Sequence, residues 1–339
     1  MVAVPFHRDV VVVGASAGGV ESLRGLARAL PEDFPAAVLV AMHLAPGSSS
    51  ALPQILGRAG PLPATHAVHG GPVTKGMIHV APPDRHLLLG DGTLVLSRGP
   101  TESGHRPAVN ATFRSAAIHA GPAAVGVVLS GALDDGSAGL AALVERGGVA
   151  MVQDPAEALY PGMPRNALAR TSTEHVYPVD VLGTVLDKLV RTPGEPGPVP
   201  PPSPALLLED RIARDGVRMD AVTPGESNPP SGYSCPDCGG ALLELGEPPD
   251  QYRCRIGHAW STEALLRTHD LEFERALGTA LRSLDEKAAL ARRMQRDAKL
   301  HGTTGLTGRY ENTARECLEA AETLRRFLLA QYPETGSAS

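Results

Sequence analysis

The chain has 339 residues, 42% of them hydrophobic and 20% charged, which gives apolar material for one large domain or two ordinary ones and excludes wholesale disorder. A formal net charge of −6 argues against a basic nucleic-acid footprint, so no nucleic-acid partner is expected. No apolar run reaches the roughly 18 residues a membrane span needs, and MVAVPFHRD lacks a secretory apolar region with a cleavage site, so the expected location is the cytoplasm without membrane insertion.

Val10–Val13 reads as a buried strand, and Gly19–Leu30 as the helix that follows it across a glycine-rich turn. A second buried strand is expected at Ala37–Ala41. Shorter strands are expected at Met77–Ala81, His86–Leu89 and Leu94–Ser97, divided by the turn signals Pro82-Pro83-Asp84 and Gly90-Asp91-Gly92. That patch reads as a small antiparallel insert. Ala124–Leu129 is a third buried strand, and Gly136–Glu145 the helix after it. Near-continuous apolar strands alternating with helices indicate an α/β domain with a mainly parallel sheet.

From Arg191 to Pro230 the composition changes: ten prolines in forty residues rule out long helices and central strands. The segment reads as a semi-rigid linker with a short helical island at Ala205–Arg214. Beyond a cysteine cluster, Phe273, Leu277, Ala280, Leu284, Ala288 and Ala291 recur at helical spacing, as do Ala314, Cys317, Ala321, Leu324 and Leu328. Gly302–Gly308 is the expected loop between two amphipathic helices, which read as an antiparallel hairpin or coiled-coil arm. Cys317, on the apolar seam, is expected to be a packed core thiol.

Gly14-Ala15-Ser16-Ala17-Gly18 admits three readings. It is a dinucleotide fingerprint with Ser16 in place of its second glycine, a strand–helix turn in which Ser16 caps the helix, or the G-x-S-x-G elbow of a serine nucleophile. A serine hydroxyl needs a base to take its proton and a third group to orient that base. His43 stands where the second strand runs out into Pro46-Gly47. Asp134 and Asp135 follow the third strand in Gly131-Ala132-Leu133-Asp134-Asp135-Gly136. Carboxyl ends of parallel strands are where open α/β sheets place ligands, so three such ends carrying Ser, His and Asp favour the nucleophile. The free N–H groups near Ala17 and Gly18 are then expected to hold an oxyanion. No acidic residue closes a second strand about twenty residues beyond the glycines, which weakens the nucleotide reading. The chain order Ser…His…Asp is not that of the α/β-hydrolases, chymotrypsin-like or subtilisin-like enzymes.

The blocks VVVGASAGGVESL, VAMHLAPG, HVAPPDRHLLL, HRPAVNATF, VGVVLSGALDDGSAGL and PGMPRNAL, spanning about residues 9–190, resemble the CheB-type protein-glutamate methylesterases of bacterial chemotaxis. The resemblance implies a doubly wound, mainly parallel sheet with helices on both faces. It makes Ser16 the nucleophile, His43 the base and Asp135 the orienting carboxylate. It also implies hydrolysis of glutamyl methyl esters on receptor helices with release of methanol, glutamine deamidation in some members, and no catalytic cofactor. Arg106, in His105-Arg106-Pro107, is either a contact for an acidic substrate helix or a structural arginine. Two departures stand out. The first strand begins near residue 9, so the phospho-receiver domain typical of the family is not expected ahead of it, and control through that domain falls away. The turn Gly-Ala-Leu-Asp-Asp-Gly replaces the usual Gly-Met-Gly-Asn-Asp-Gly, which leaves the carboxylate in place and puts the oxyanion or substrate wall in question.

Cys235-x2-Cys238-x15-Cys254-x3-His258 has the ligand types and spacing of a closed tetrahedral zinc site, so a structural zinc in a ribbon-like module is expected. No basic run surrounds it, which favours a folding staple and protein-docking role. The expected division is a catalytic domain over 1–190, a Pro-rich linker over 191–230, a zinc-ribbon-like module over 231–260, a helical hairpin over 261–332 and a disordered tail over 333–339. The expected partners are methylated chemoreceptor-like helices, with a histidine kinase or methyltransferase as pathway partners and self-association open to the C-terminal helices. The alternative is a non-catalytic signalling scaffold that docks through the zinc module and helical arm.

Overall fold

The computed structural model describes residues 6–45, 47–194, 197–216, 229–245 and 250–331; Pro46 and the expected tail at 333–339 lie outside the described residues. Val10–Ala15 forms β1 and Gly19–Ala29 forms α1, followed by β2 (Ala37–Met42), α2 (Leu52–Ala59), β3 (Ala64–His66) and β4 (Ile78–Val80). A two-stranded hairpin, β5 (His86–Leu89) and β6 (Leu94–Ser97), precedes α3 (Val109–His119), β7 (Ala124–Val128) and α4 (Ser137–Glu145). Then come β8 (Val149–Gln153), α5 (Gly162–Arg170), β9 (Val176–Tyr177), α6 (Val179–Arg191) and α7 (Pro204–Asp215).

Among the described residues the main sheet has seven strands in the order β3-β4-β2-β1-β7-β8-β9, and every pairing is parallel. Each strand residue faces the side opposite its neighbour, so β1 serves two cores. Val11, Val13 and Ala15 pack with Leu23 and Leu26 of α1 and Leu182 and Leu186 of α6. Val10 and Val12 pack with Phe113 of α3 and Leu140 and Leu143 of α4. Strand order reverses across β1, which has β2 on one side and β7 on the other, so the switch-point crevice opens at its carboxyl end.

The expected strands and helices of this sheet form within a residue or two of their predicted ends. One placement is corrected: residues 77–81 do not belong to the antiparallel insert. Ile78–Val80 pairs in parallel with both β2 and β3, because all three of its residues are buried and it continues the sheet; the insert is β5–β6 alone. The helical island of the proline-rich stretch is α7, with Pro204 in its first turn and the Ser203 hydroxyl accepting from the Leu206 N–H as cap. Its Leu206 and Ala213 are buried with the hairpin and α3, so this part of the stretch is docked on the domain.

A small antiparallel sheet follows: β10 (Pro230–Ser234), β11 (Ala241–Leu245), β12 (Gln251–Cys254) and β13 (Ala259–Ser261), in that order. Its apolar centre is Cys235, Leu242, Tyr252, Cys254, Trp260, Ala264 and Leu265. It belongs to the same compact unit as the parallel sheet, which ends at Leu265.

The second unit, from Leu266, is made of α8 (Thr262–Leu300) beyond its first turn and α9 (Thr304–Gln331). The helices pair antiparallel, with Phe273 edge-on to Phe327 and Asp285 bonded to Arg325 at 2.6 Å. Ala288, Ala291, Ala314, Cys317 and Ala321 are buried, as expected for the seam. The expected loop is shorter than Gly302–Gly308. Helix α9 starts at Thr304, since Gly305 and Gly308 lie within its first turns and only Gly302 takes a left-handed φ, of 71°. Among the described residues no helix is long and apolar enough to cross a membrane.

Candidate active site

Strand register brings the expected residues together. Ala15 pairs with Met42, so the next residues on each strand, Ser16 and His43, leave the sheet side by side. The Ser16 N–H donates to the Ser130 carbonyl and the His43 N–H to the Ala15 carbonyl, which fixes both exits. Ser16 Oγ lies 2.9 Å from His43 Nδ1, and His43 Nε2 lies 2.7 Å from Asp135 Oδ2. The His43 and Asp135 side chains are 8% and 4% exposed, so the relay is shielded from water while Ser16 keeps partial access. Ser16 does not cap the helix: α1 has Gly18 at its N-cap and no side-chain cap bond. Gly18 has φ 70°, and a side chain there would also press on Ser130 Oγ, Leu159 and Tyr160, so glycine is required for this turn.

Asp135 is held by more than the imidazole. Its Oδ2 also accepts from the Val109 N–H at 2.7 Å and its Oδ1 from the Asn110 N–H at 2.9 Å, at the N-terminus of α3. Burial alone would raise its pKa. The His43 hydrogen bond and charge, together with the Asn110 and Val109 N–H groups, outweigh burial and hold it at about 2. An ionised Asp135 accepts the Nε2–H, which leaves Nδ1 with its lone pair towards Ser16. The two ring nitrogens thus have the reverse of the assignment in the chymotrypsin template, with the same consequence for proton transfer.

Several site residues carry no signal of their own in the sequence. His105 stacks face to face on His43, ring centroids 3.7 Å apart and planes 7° from parallel. Burial and then the His43 charge lower its pKa to about 4, so it stacks as a neutral ring near pH 7. Asn110 Oδ1 accepts from the Gly136 and Gly139 N–H groups at 3.0 and 2.7 Å, locking the turn after Asp135 to α3. Ser130 Oγ donates to the Ala17 carbonyl at 2.8 Å and buttresses the turn. Among the described residues the Ala17 and Gly18 N–H groups donate to no protein acceptor, so they are free for an anion beside Ser16.

Arg106 has a structural part: its Nε donates to Asp84 Oδ1 at 2.9 Å, and its terminal nitrogens reach Asp84 and the Gly99 carbonyl.

The four expected metal ligands converge. Cys235 and Cys238 sit on a tight turn between β10 and β11, closed by the Gly239 N–H on the Cys235 carbonyl at 2.7 Å, with Gly239 at φ 69°. Cys254 and His258 sit on a matching turn between β12 and β13. All four ligand atoms lie within 4.8 Å of one another, and no disulfide joins them.

Comparison with known proteins gives one family reading. The family model for CheB methylesterase matches residues 11–186. A protein-glutamate methylesterase/protein-glutamine glutaminase of Anaeromyxobacter dehalogenans is 39% identical over 183 residues, covering 54% of this chain and 54% of its own. One of the same description from Methanosarcina mazei is 34% identical over 192 residues, 54% of this chain and 52% of its own. The crystal structure of the Thermotoga maritima CheB methylesterase catalytic domain aligns with a TM-score of 0.52 at 29% identity, covering 55% of this chain and all of that one. The chain spans about half the length of the curated relatives it matches.

Proposed function

The chain belongs to the CheB methylesterase family, and from that premise we propose that residues 1–190 form a serine hydrolase that cleaves glutamyl methyl esters on chemoreceptor-like helices and releases methanol. The observation that carries the proposal is the Ser16–His43–Asp135 hydrogen-bonded chain at the switch point of the sheet. Ser16 Oγ attacks the ester carbonyl carbon as its proton passes to His43 Nδ1, and Asp135 holds the imidazolium that forms. The oxyanion is received by the free N–H groups at Ala17 and Gly18. Collapse breaks the carbon–methoxy bond, and His43 returns the proton to give methanol. Water then attacks the acyl-Ser16 by the same route and frees the glutamate. A glutamine amide presents the same acyl carbon, and the relatives' names pair methylesterase with glutaminase, so deamidation with release of ammonia is the second reaction we assign.

The substrate sites we assign are on cytoplasmic helices of methylated receptors, with a methyltransferase, which makes the ester, or a histidine kinase as pathway partner. For the cluster of Cys235, Cys238, Cys254 and His258 we propose zinc. Zn–S bonds of about 2.3 Å and Zn–N bonds of about 2.1 Å on a tetrahedron set ligand atoms roughly 3.5–3.8 Å apart. Three pairs here stand at 3.7, 3.6 and 3.5 Å. A zinc so held staples the two turns together and takes no part in the hydrolysis.

The test is methanol release from methylated receptor membranes by the full chain. The proposal expects release that Ser16→Ala abolishes. An undiminished rate in that variant overturns the mechanism, and Ser16-independent pathway output that fails on deletion of residues 231–339 would favour the scaffold reading.

A further inference from the structure

We propose that the small antiparallel module is a wall of the active site, in which Ser261 and β13 position Asp135 and His43 from outside the parallel sheet, with Leu133 as the anchor on the catalytic side. The inference rests on the hydrolase reading above and adds residues that the fold of residues 11–186 does not contain.

The module grips both loops that complete the site. The first is the turn that ends in Asp135. Leu133 takes a left-handed backbone, φ 59°, which is unfavourable for a leucine and persists only where surroundings hold it. Its side chain packs against the module's apolar centre, which contains Trp260 and Leu265. The next residue, Asp134, accepts a hydrogen bond from Ser261 Oγ at 2.7 Å. Asn166 of α5 bridges the two sides, donating to the Leu133 carbonyl at 3.0 Å and to Glu263 at 2.9 Å. Three consecutive residues, Leu133, Asp134 and Asp135, thus point to the module, the module and His43.

The second loop carries His105. The Ser103 N–H donates to the Ala259 carbonyl at 2.7 Å, and the Ala259 N–H donates to the Thr101 carbonyl at 3.1 Å, so β13 extends onto this loop as a short parallel bridge. Glu102 and His105 close the turn by mutual backbone bonds, and His105 lies flat on His43. Thr101 Oγ1 further bonds Asp237, which lies between two of the thiol ligands. One strand of three residues therefore touches, at one remove, the base and its orienting carboxylate. A fault in either contact shifts a reacting group without removing it, and misplacement of about 1 Å at a catalytic group costs on the order of a hundredfold.

The positioning role is tested with the full chain, a small activated ester, a fluorophosphonate that labels Ser16, and proton NMR of the His43 Nε2–H bonded to Asp135. Ser261→Ala removes one contact, and Leu133→Gly removes the anchor while glycine keeps the left-handed turn at ease. Both variants should lower kcat for the small ester about tenfold or more with KM within about twofold, slow labelling to match, and move the Nε2–H resonance, with Ser261→Thr restoring all three. Wild-type kinetics with an unmoved resonance in both variants would overturn the inference. If wild-type Ser16 reacts with neither ester nor fluorophosphonate, the hydrolase reading fails. The resonance then decides by itself whether the module positions His43 and Asp135.

Discussion

Asp134 lets the module contact be examined separately from hydrolysis. Its carboxyl is buried beside Asp135, and burial first of all raises its pKa; the Ser261 hydroxyl opposes this, while the Asp135 and Glu263 charges add to it, and the result is about 6. An unfolded Asp titrates near 3.8, so the native state binds the extra proton across the interval between those values. Stability therefore falls as pH rises from about 4 to about 6 and stays lower above it. Asp134→Asn keeps an oxygen to accept the Ser261 hydroxyl and removes the charge. About two pH units at 1.36 kcal/mol each set a ceiling near 3 kcal/mol on the gain at pH 7.5. At roughly 2–4 °C per kcal/mol for a unit of this size, the unfolding midpoint should rise by several degrees.

The assay is thermal unfolding of wild type and Asp134→Asn at intervals from pH 4 to pH 8. The two midpoints should coincide near pH 4, separate through pH 5 to 6, and run parallel above that. Asp135 has the opposite sign: its pKa is lowered to about 2, so its contribution is present above about pH 4 and lost in both proteins as pH falls towards 2. A variant no more stable than wild type at pH 7.5, or a gap of constant size at every pH, would refute the reasoning.

Asp135→Asn should leave the fold intact and cut the Ser16-dependent rate by about four orders of magnitude, because an amide N–H facing Nε2 drives the ring proton to Nδ1 and removes the acceptor from Ser16; single-turnover acylation reads this directly. Glu209→Ala should destabilise the first unit by roughly 3 kcal/mol or more in urea unfolding, since Glu209 lies between Arg114 of α3 and Arg253 of β12, and Arg253 is 1% exposed. Chelation of the Cys3His cluster should shift the emission of Trp260 to the red, because this sole tryptophan is buried in the module's centre, and added zinc should reverse it.

Ser16, His43 and Asp135 are legible because Ser16 and His43 directly follow buried strands and Asp135 lies in the turn that follows a third. The three apolar runs announce β1, β2 and β7, parallel strands put their carboxyl ends at one edge, and register then places the side chains. The cysteine spacing was legible for a related reason, since ligand type and interval are both local. His105, Asn110 and the N-terminus of α3 gave no such sign. Asp135 accepts from N–H groups about 25 positions earlier in the chain, and backbone donors have no residue type to read. The placement of β4 is not legible because three buried residues between turn signals look alike in a parallel sheet and in a hairpin; only the pairing with β2 and β3 separates them.

The turn Gly131–Gly136 joins these two kinds of legibility. Its departure from the family pattern was visible in the sequence, but its reason was not. A leucine at φ 59° and a carboxyl buried near another carboxyl are each unfavourable within the parallel-sheet domain alone. Leu133 gains an apolar partner and Asp134 gains the Ser261 hydroxyl only because β13 and the start of α8 lie against them. A segment some 125 residues downstream thus accounts for side chains beside the proposed triad, and the proposed zinc, by tying the β10–β11 turn to the β12–β13 turn, fixes the strand that meets them. The turn and the module therefore have to be read as one structure: returning Leu133 to Gly should suit a domain that stands without the module and loosen one that is built on it, whereas Asp134→Asn keeps its acceptor for the Ser261 hydroxyl.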